Sequence, residues 1–388
     1  MMAVPFNKPY IAGKELDYIA QAFAAGHLSG NGQFTQQAHQ WLEDYSGAAK
    51  ALLTHSCTAA LEMAAILAEV GPGDEVIMPS YTFVSTANAF VLRGAVPVFV
   101  DIRPDTLNID ETLIEGAITP RTKAIVVVHY AGVGCEMDTI LALAEKYQLL
   151  VIEDDAQGIM ATYRGHPLGS FGQLAALSFH ETKNVISGEG GALLVNDPGL
   201  VERAEIIWEK GTNRSKFFRG QVDKYTWVDV GSSYLPSEIN AAFLCAQLES
   251  IESIIRERLA LWQRYHEAFE PLERAGYLTR PTVPAECVHN GHIYYVLLPD
   301  LESRTAALNA LKSVGIGSVF HYVPLHTSEP GRTRCRSHGD LPVTVDVSDR
   351  LIRMPLWVGM QEDTVTRAVD IVTDLVVRVP APILGGPT

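Results

Sequence analysis

The sequence has few of the features that mark secreted, membrane-spanning or nucleic-acid-binding proteins. Its 388 residues include only five cysteines, an odd number without metal-site spacing, which suits a reducing compartment. No apolar run reaches the roughly 18 residues that a membrane span needs, and Met1 to Pro5 lack the basic segment and apolar core of a signal peptide. The formal net charge of −15 argues against nucleic acid or an anionic membrane as partner. We therefore expect a cytoplasmic, globular enzyme.

Short apolar runs alternate with helical periods along the first 200 residues. Strands are predicted at 51–53, 75–78, 98–100, 124–128, 149–152, 174–177 and 192–195, and helices near 14–25, 35–45, 58–70, 84–93, 110–118 and 136–147. Strands separated by helices of this length predict an α/β fold with a mostly parallel sheet covered on both faces. Ligands of such sheets bind at the carboxyl ends of the strands.

A long helical stretch from about 236 to 272, with a break, separates this pattern from a smaller α+β unit. In that unit we predict strands at 292–298 and 319–322 and helices at 305–314, 347–352 and 362–377. The change of pattern predicts a large domain over residues 1–255 and a small C-terminal domain over residues 256–388.

A single lysine follows the predicted strand 174–177. Ser178 ends this apolar run, and Lys183 lies on the turn that leads into the glycine-rich segment 187–191. Desolvation at the end of a buried strand lowers the pKa of a lysine and frees its amine as a nucleophile. Such a lysine is a typical anchor for a Schiff base with pyridoxal phosphate. Taken alone, the stretch also fits an ordinary solvated loop lysine.

Two other strand ends carry residues that could hold parts of a flat, phosphorylated cofactor. Cys57 and Thr58 begin a predicted helix directly after a strand, and free N–H groups at a helix start favour an anion, although plain N-capping explains the residues equally well. Tyr81 follows a second strand and could stack on a cofactor ring or belong to the core. No Gly-x-Gly-x-x-Gly follows the first strand, which weakens a nicotinamide-dinucleotide interpretation.

Three consecutive carboxylates end the predicted strand 149–152. Alternation along the strand points Glu153 and Asp155 to one face and Asp154 to the other. A carboxylate beside a pyridine nitrogen keeps that nitrogen protonated, which makes the ring an electron sink. The alternatives are helix capping and a metal site, but no histidine lies nearby at ligand spacing.

The segment 210–225 is unusually basic for an acidic protein, with five basic residues and three aromatic ones. Its lack of periodicity predicts a polar loop, which suits an anionic molecule with a flat part such as a nucleotide diphosphate. A solvated charged surface is the alternative. The candidate substrate-binding residues are Asn213, Arg214, Lys216, Arg219, Lys224 and Tyr225 in this loop, with His321 and His326, which either reach the same cleft or simply pack.

Six motifs in order resemble the DegT/DnrJ/StrS family of sugar aminotransferases, which have the aspartate aminotransferase (type I) fold. The resemblance covers nearly the whole chain. The motifs are Ser-x-Thr-Ala-Ala-Leu (Ser56–Leu61), Pro-x-aromatic-Thr (Pro79–Thr82), Glu-Asp-x-Ala-Gln (Glu153–Gln157), Ser-Phe-x-x-x-Lys (Ser178–Lys183), Gly-Glu-Gly-Gly (Gly188–Gly191) and Pro-Leu-His (Pro324–His326).

The resemblance implies a pyridoxal 5'-phosphate cofactor and a role for each matching residue. Lys183 would bind the cofactor covalently and then carry a proton between the cofactor carbon and the sugar carbon. Asp154 would pair with the pyridine nitrogen, Gln157 would bond the ring hydroxyl, and Tyr81 would stack on the ring. The cofactor phosphate would be held by three side chains: Cys57, Thr58 and Ser178.

The sequence departs from the family pattern at two places. Many members have alanine where this chain has Asp155, and many have Asn and Arg where it has Ser233 and Leu235. In those members the asparagine reaches the cofactor phosphate of the neighbouring subunit, so the resemblance leaves open whether Ser233 replaces it. Because the family's sites lie at a subunit interface, the resemblance also implies a homodimer.

Within the family, the run Ser178–Asn184 and the loop 211–234 look like those of members that act on TDP-4-oxo-6-deoxy-D-glucose. These members move an amino group from L-glutamate to C4 and form TDP-4-amino-4,6-dideoxy-D-galactose for surface polysaccharide. Another nucleotide-linked keto-sugar is an alternative. So is a sugar dehydratase, although some of those have histidine in place of the lysine.

Two further alternatives come from outside aminotransferase chemistry. An NAD-dependent sugar-nucleotide oxidoreductase would share the parallel sheet but needs the missing glycine fingerprint. A binding protein without turnover would not need the lysine, the acid and the aromatic residue together.

Overall fold

The computed structural model describes residues 3–378. Its helices are α1 (Glu15–Ala24), α2 (Gln33–Ser46), α3 (Cys57–Leu67), α4 (Val84–Val91), α5 (Glu111–Ala117), α6 (Met137–Tyr147), α7 (Val201–Trp208), α8 (Arg214–Phe218), α9 (Glu238–Glu249), α10 (Ile251–Arg274), α11 (Leu301–Ser313), α12 (Glu329–Arg334), α13 (Pro342–Arg350) and α14 (Glu362–Arg378). Its strands are β1 (Lys50–Thr54), β2 (Glu75–Pro79), β3 (Val96–Val100), β4 (Thr122–Val128), β5 (Leu150–Asp154), β6 (Thr162–Tyr163), β7 (His166–Pro167), β8 (Leu174–Ser178), β9 (Gly191–Val195), β10 (Cys287–Val288), β11 (Tyr294–Leu297), β12 (Arg336–Ser337) and β13 (Leu351–Met354). None of the helices within residues 3–378 has the length and apolarity to cross a membrane.

An eight-stranded sheet in the order β1-β9-β8-β5-β4-β2-β3-β12 forms the centre of the molecule. Strand β9 is antiparallel to both of its neighbours, and the other pairs are parallel. The carboxyl ends of seven strands and the start of β9 therefore meet at one edge. The mostly parallel sheet agrees with the sequence prediction.

Helices cover both faces of this sheet, because neighbouring residues of each strand are apolar and point in opposite directions. In β1, Leu52 packs in the cluster with α3, α4 and α7, whereas Leu53 packs in the cluster with α2 and α9. In β5, Ile152 faces the first cluster, and Val151 faces a third cluster with α5 and α6. This two-sided core holds the strand ends at the edge in place.

The C-terminal part has its own apolar cluster, formed by α10, α11, α14 and the antiparallel pair β11–β13. It also returns to the large sheet, because β12 pairs with β3 and the Asp101 carboxylate accepts the backbone N–H groups of Val343 and Thr344 at the start of α13. The division at residue 255 stays a prediction. The part of the small domain beyond residue 378 lies outside the described residues.

Four local predictions can be compared with the structure. The predicted break in the long helix is confirmed at Ser250, between α9 and α10. The predicted strand 319–322 is wrong, since only Val319 pairs, in a bridge to Arg353. The predicted helix 347–352 is wrong in its second half, because residues 351–354 form β13 against β11. At residues 351–354 the pairing with β11 stabilises a strand, although the local sequence has helical periodicity.

The fourth comparison concerns the basic segment 210–225, which is not entirely a loop. It contains the short helix α8, from Arg214 to Phe218. Its Lys216 and the following Arg219 form ion pairs with carboxylates of α7, and these contacts between distant residues favour an ordered turn where local periodicity is weak.

Candidate active site

Lys183 lies on the turn between β8 and β9 at the carboxyl edge of the sheet. Backbone hydrogen bonds hold the turn, from Phe179 N to Gly190 O (2.8 Å) and from Ser187 N to Phe179 O (2.7 Å). Asn184 ties the turn to the C-terminal part through Asn290 O (3.0 Å) and His292 Nδ1 (2.9 Å). The lysine side chain is therefore presented by a turn that is anchored on both sides.

The amine of Lys183 is half-buried and has no ion-pair partner within 4.0 Å among residues 3–378. Burial lowers the pKa of Lys183, and the nearby Cys57 thiol and Asp154 carboxylate oppose this shift. A depressed pKa increases the fraction of free amine, which is the nucleophilic form.

Asp154 is the last residue of β5, and its buried carboxylate accepts a hydrogen bond from Thr86 Oγ1 at 2.6 Å. Burial raises the pKa of Asp154, while the Thr86 hydroxyl and the Lys183 charge lower it. Thr86 Oγ1 lies 2.8 Å from Thr82 Oγ1. The carboxylate is thus oriented by a short chain of hydroxyl groups from α4 and the loop before it.

The two flanking acids point to the opposite face, as alternation predicts. Glu153 accepts backbone N–H groups of Gly169, Phe171 and Gly172 at 2.7–2.8 Å, and His129 Nε2 lies 2.8 Å from it. Asp155 is 1% exposed, and neither of its carboxylate oxygens has a hydrogen-bond partner within the described part of the chain. Burial, together with the charges of its two acidic neighbours, raises the pKa of Asp155. Glu153 is structural, whereas Asp155 is an unpaired acid.

The start of α3 offers free backbone donors beside Lys183. The Ser56 hydroxyl caps the helix by accepting Ala59 N–H at 3.1 Å, so Cys57 and Thr58, as first residues, keep N–H groups without intrahelical acceptors. Gly191 approaches this helix start so closely that an added Cβ would lie 2.4 Å from Cys57 N. Close approach of β9 to α3 therefore requires glycine at position 191.

Aromatic residues from three segments form one wall. The Tyr81 ring lies 5.4 Å from that of Tyr130 and 5.5 Å from that of Tyr322. The Tyr130 hydroxyl is 2.7 Å from His321 Nδ1, and Gln157 Nε2 donates to the Tyr322 hydroxyl at 2.9 Å. We call Cys57, Thr58, Tyr81, Asp154, Gln157, Lys183, His321 and Tyr322 together the lysine cluster.

The remaining predicted residues near the sheet edge take different positions. Ser178 is buried at the end of β8 and accepts His180 N–H at 3.4 Å. His326 Nδ1 lies 2.7 Å from Ser80 Oγ, which fixes the loop that carries Tyr81. Ser233 pairs with Glu209 through its backbone.

Charged residues of the predicted substrate loop pair with carboxylates of the same chain. Arg219 pairs with both oxygens of Glu205 (2.9 and 2.7 Å), and Lys216 pairs with Glu202 (2.6 Å). No hydrogen bond or ion pair in residues 3–378 joins this loop to Lys183 or Asp154. Among the other loop contacts, Arg214 lies near Glu209 (3.9 Å), Phe218 and Tyr225, and Asn213 Oδ1 accepts Thr226 N–H (2.8 Å). The structure thus does not bring the loop of a single chain into the lysine cluster, and its role stays a prediction.

Four residues at this site have no role predicted from the sequence: Thr86, Tyr130, Tyr322 and Arg353. Thr86 and Tyr130 had no motif of their own, and Arg353 lies in the strand Leu351–Met354, which was partly predicted as helix. A single arginine between apolar residues was the available signal for Arg353.

Comparisons with known proteins agree with this geometry. Residues 9–373 match the DegT/DnrJ/EryC1/StrS aminotransferase family. The chain is 33% identical over 381 residues to the spore coat polysaccharide biosynthesis protein SpsC of Bacillus subtilis, covering 96% of this chain and 97% of the relative. It is 33% identical over 370 residues to GDP-perosamine synthase of Caulobacter vibrioides, covering 93% and 95%. Spr1654 of Streptococcus pneumoniae in its PLP form superposes with a TM-score of 0.88 at 26% identity, covering 98% of this chain and 100% of that chain.

The chain belongs to the DegT/DnrJ/EryC1/StrS aminotransferase family. The predicted type I fold, the aminotransferase activity and the pyridoxal phosphate cofactor are confirmed. The residues of the lysine cluster fit this cofactor, because an unpaired amine, a buried carboxylate and free helix N–H groups match its aldehyde, ring nitrogen and phosphate.

Proposed function

We propose that this aminotransferase moves the amino group of L-glutamate to the C4 keto group of TDP-4-oxo-6-deoxy-D-glucose. The product is TDP-4-amino-4,6-dideoxy-D-galactose, a precursor of surface polysaccharide. Sugar chemistry is supported by the names of the relatives, one in polysaccharide biosynthesis and one a GDP-perosamine synthase. The choice of this sugar is supported by the sequence resemblance of Ser178–Asn184 and the loop 211–234.

The observation that carries the proposal is the unpaired, half-buried amine of Lys183 next to the buried Asp154 carboxylate. Pyridoxal phosphate, when bound, supplies an electron sink for the negative charge that develops on carbon. Asp154, oriented by Thr86, would hold a proton on the pyridine nitrogen. Cys57, Thr58 and Ser178 would hold the phosphate, and Gln157 and Tyr81 would bind the ring. Gln157 already accepts Ala131 N–H at 2.8 Å, so its side chain is preorganised.

In the proposed reaction, Lys183 would transfer the protons. Its Nζ would take the proton from the α-carbon of glutamate and later deliver a proton to the sugar carbon that receives the amine. The depressed pKa of Lys183 suits this role, because it increases the fraction of free amine that can accept the proton. The aromatic wall of Tyr81, Tyr130 and Tyr322 would exclude water from this centre.

We also propose that the enzyme is a homodimer. Large apolar side chains are exposed on the isolated chain, including Leu16 (77%), Leu92 (70%) and Trp227 (77%), and their burial against a second copy would remove this surface from water. Phe83, 58% exposed, follows the loop that carries Tyr81, so this surface borders the lysine cluster. Ser233 and the loop 211–234 would then reach the neighbouring site. Sedimentation velocity tests the dimer, and a monomer at micromolar concentration would overturn it.

The activity is tested by incubating the protein with pyridoxal phosphate, glutamate and TDP-4-oxo-6-deoxy-D-glucose and determining the product by NMR. We expect a C4 amine in the axial, galacto configuration. An equatorial amine would overturn the proposed product, and amination of only a different keto-sugar would overturn the proposed substrate. Lys183→Ala protein serves as the matched blank.

A further inference from the structure

Three buried polar side chains meet at the turn that carries Lys183. Asn184, the next residue along the chain, is 4% exposed, and Asn290 and His292 are 0% and 6% exposed. Burying amide and imidazole groups is costly unless hydrogen bonds satisfy them, and a satisfied buried cluster fixes the geometry around it. We call Asn184, Asn290 and His292 the anchor residues.

Hydrogen bonds between the anchor residues fix the orientation of each group. Asn184 Nδ2 donates to the Asn290 carbonyl oxygen at 3.0 Å, because an amide oxygen in that place would repel it. Asn184 Oδ1 therefore accepts a hydrogen bond from His292 Nδ1 at 2.9 Å, and the His292 backbone N–H donates to Asn290 Oδ1 at 3.0 Å. Burial and the charges of Lys183 and Arg258 lower the pKa of His292. The ring is thus the neutral tautomer with its hydrogen on Nδ1.

Asn290 also contacts the segment of the residue predicted to bind the ring hydroxyl. Its Nδ2 donates to the carbonyl oxygens of Gln157 (2.7 Å) and Ile159 (2.8 Å). The side chain of Gln157 in turn accepts the Ala131 N–H at 2.8 Å. A single residue, Asn290, therefore joins the turn after β8 to the segment that carries Gln157.

The surrounding chain leaves the anchor residues little room to move. A Cβ added at Gly132, where φ is +77°, would lie 2.1 Å from Asn290 Oδ1. From α10, Arg258 donates to the carbonyl oxygens of Gly291 (3.1 Å) and His292 (2.6 Å). Because packing on both sides is this close, the position of one anchor residue determines the position of the others.

Backbone hydrogen bonds give the turn its shape without connecting Lys183 to the ring site. The Lys183 N–H donates to His180 O at 2.9 Å, within the turn itself. The side chain of Asn184 supplies the adjacent contact that leaves the turn and leads, through Asn290, to Gln157.

We propose that the anchor residues are positioning residues, which hold Lys183 in a fixed place relative to a cofactor ring bound through Gln157. This positioning role rests on the proposed roles of Lys183 and Gln157 and does not depend on which keto-sugar is the acceptor. A lysine side chain is long and flexible, so its backbone must be fixed if the amine is to reach the reacting carbon. Misplacing a reacting group by about 1 Å can cost about 10²-fold in rate.

The first test uses Asn184→Ala, which removes both side-chain contacts and keeps the backbone bonds of the turn. We expect the rate constant of the glutamate half-reaction to fall by about 10- to 100-fold, with the KM for glutamate and the cofactor affinity changed by less than about threefold. The visible circular dichroism of the cofactor band, which depends on how the ring is held, should be lost or change sign at unchanged absorbance.

Asn196→Ala is the matched control. Asn196 follows the other end of β9, and it also donates two hydrogen bonds to carbonyl oxygens, those of Gly169 (2.9 Å) and Gly172 (2.7 Å). This variant should lose thermal stability and keep the wild-type dichroism and rate. Wild-type dichroism and rate in Asn184→Ala, or the same changes in both variants, would overturn the positioning role.

The second test compares two substitutions of His292. In His292→Asn, the amide nitrogen takes the place of Nδ1 as donor to Asn184, whereas His292→Phe fills the space without a donor. We expect His292→Phe to behave like Asn184→Ala and His292→Asn to keep most of the dichroism and rate. The reverse order would show that His292 acts by packing alone. If His292→Phe does not fold, the comparison of Asn184→Ala with His292→Asn replaces it.

Borohydride reduction and mass spectrometry separate this proposal from the proposed function. Cofactor that is not on Lys183 in the wild-type protein would overturn the role of that lysine. Cofactor on Lys183 in every variant, with wild-type dichroism and rates, would overturn the positioning role alone. Absence of sugar amination, with the expected dichroism and half-reaction changes, would overturn the proposed acceptor alone.

Discussion

The lysine cluster and the basic loop 210–225 both concentrate charged side chains, and they differ in what those charges contact. In the loop, Arg219 and Lys216 are neutralised by carboxylates of α7. In and beside the cluster, the amine of Lys183 and the Nε of Arg353 have no such partner among residues 3–378. Unpaired charge at a buried edge costs stability, and a binding site commonly carries that cost.

The number of basic residues in a segment is therefore a weaker guide to a ligand-binding site than polar groups that have no hydrogen-bond or ion-pair partner. The loop is richer in cations than the lysine cluster, yet Lys210, Arg214, Lys216 and Arg219 already lie within 4.0 Å of carboxylates of the same chain. The following experiments test whether the contrast holds, beginning with the largest expected effect.

Removing the amine should abolish the function of the cluster. Lys183→Ala is expected to lower the rate of transamination by at least about 10³-fold, because both the covalent anchor and the proton carrier are lost. Mass spectrometry of borohydride-reduced wild-type protein should find the cofactor on Lys183. A Lys183→Ala protein that retains reducible cofactor and turnover would remove this residue from the mechanism.

Removing the charge of Asp154 should have the next largest effect. Asp154→Asn keeps the shape and the contact with Thr86 but cannot hold a proton on the ring nitrogen. We expect kcat to fall by about 10²-fold, as for loss of a preorganised electrostatic contact, with cofactor still bound by absorbance. Wild-type kcat in this variant would show that the ring nitrogen needs no acid.

The acid Asp155 should affect stability rather than turnover. Its folded-state pKa is raised by burial, so its contribution is most favourable at low pH and is lost as pH rises toward the folded pKa. Asp155→Asn should therefore gain free energy of unfolding relative to wild type as pH rises from 5 to 8, by up to about 1.4 kcal/mol per pH unit. Urea unfolding at several pH values measures this, and a parallel pH dependence of the two proteins would contradict it.

The smallest effects are expected in the loop. Arg219→Gln should lower the free energy of unfolding by about 1 kcal/mol or less through loss of the pair with Glu205. Lys224→Gln should instead raise the KM of the sugar nucleotide about threefold, in a way that weakens with salt. Thermal unfolding measures the effect of Arg219→Gln on stability, and steady-state kinetics measure the effect of Lys224→Gln on the KM. A larger rise in KM for Arg219→Gln would show that a dimer frees Arg219 from Glu205.

The alternating apolar and helical periods by themselves determined the mostly parallel sheet and placed Lys183, Asp154 and Cys57 at strand ends. These features depend on neighbours along the chain, since a strand of period two points Asp154 away from Glu153 and Asp155 wherever it lies. The sequence also predicted a break in the long helical stretch, and the structure places it at Ser250. The roles of these residues stay predictions until the substitutions are made.

Only the tertiary structure decided which distant segments complete the site. Arg353, Tyr322 and Phe6 lie in different segments of the chain. Only packing brings the pair β11–β13, the segment between its two strands and the N-terminal segment toward the lysine turn. The pairing of the loop cations with α7 and the return of β12 to β3 arise in the same way. Local periodicity carries no information about such contacts, because their free energy comes from surfaces that meet only after the chain has folded.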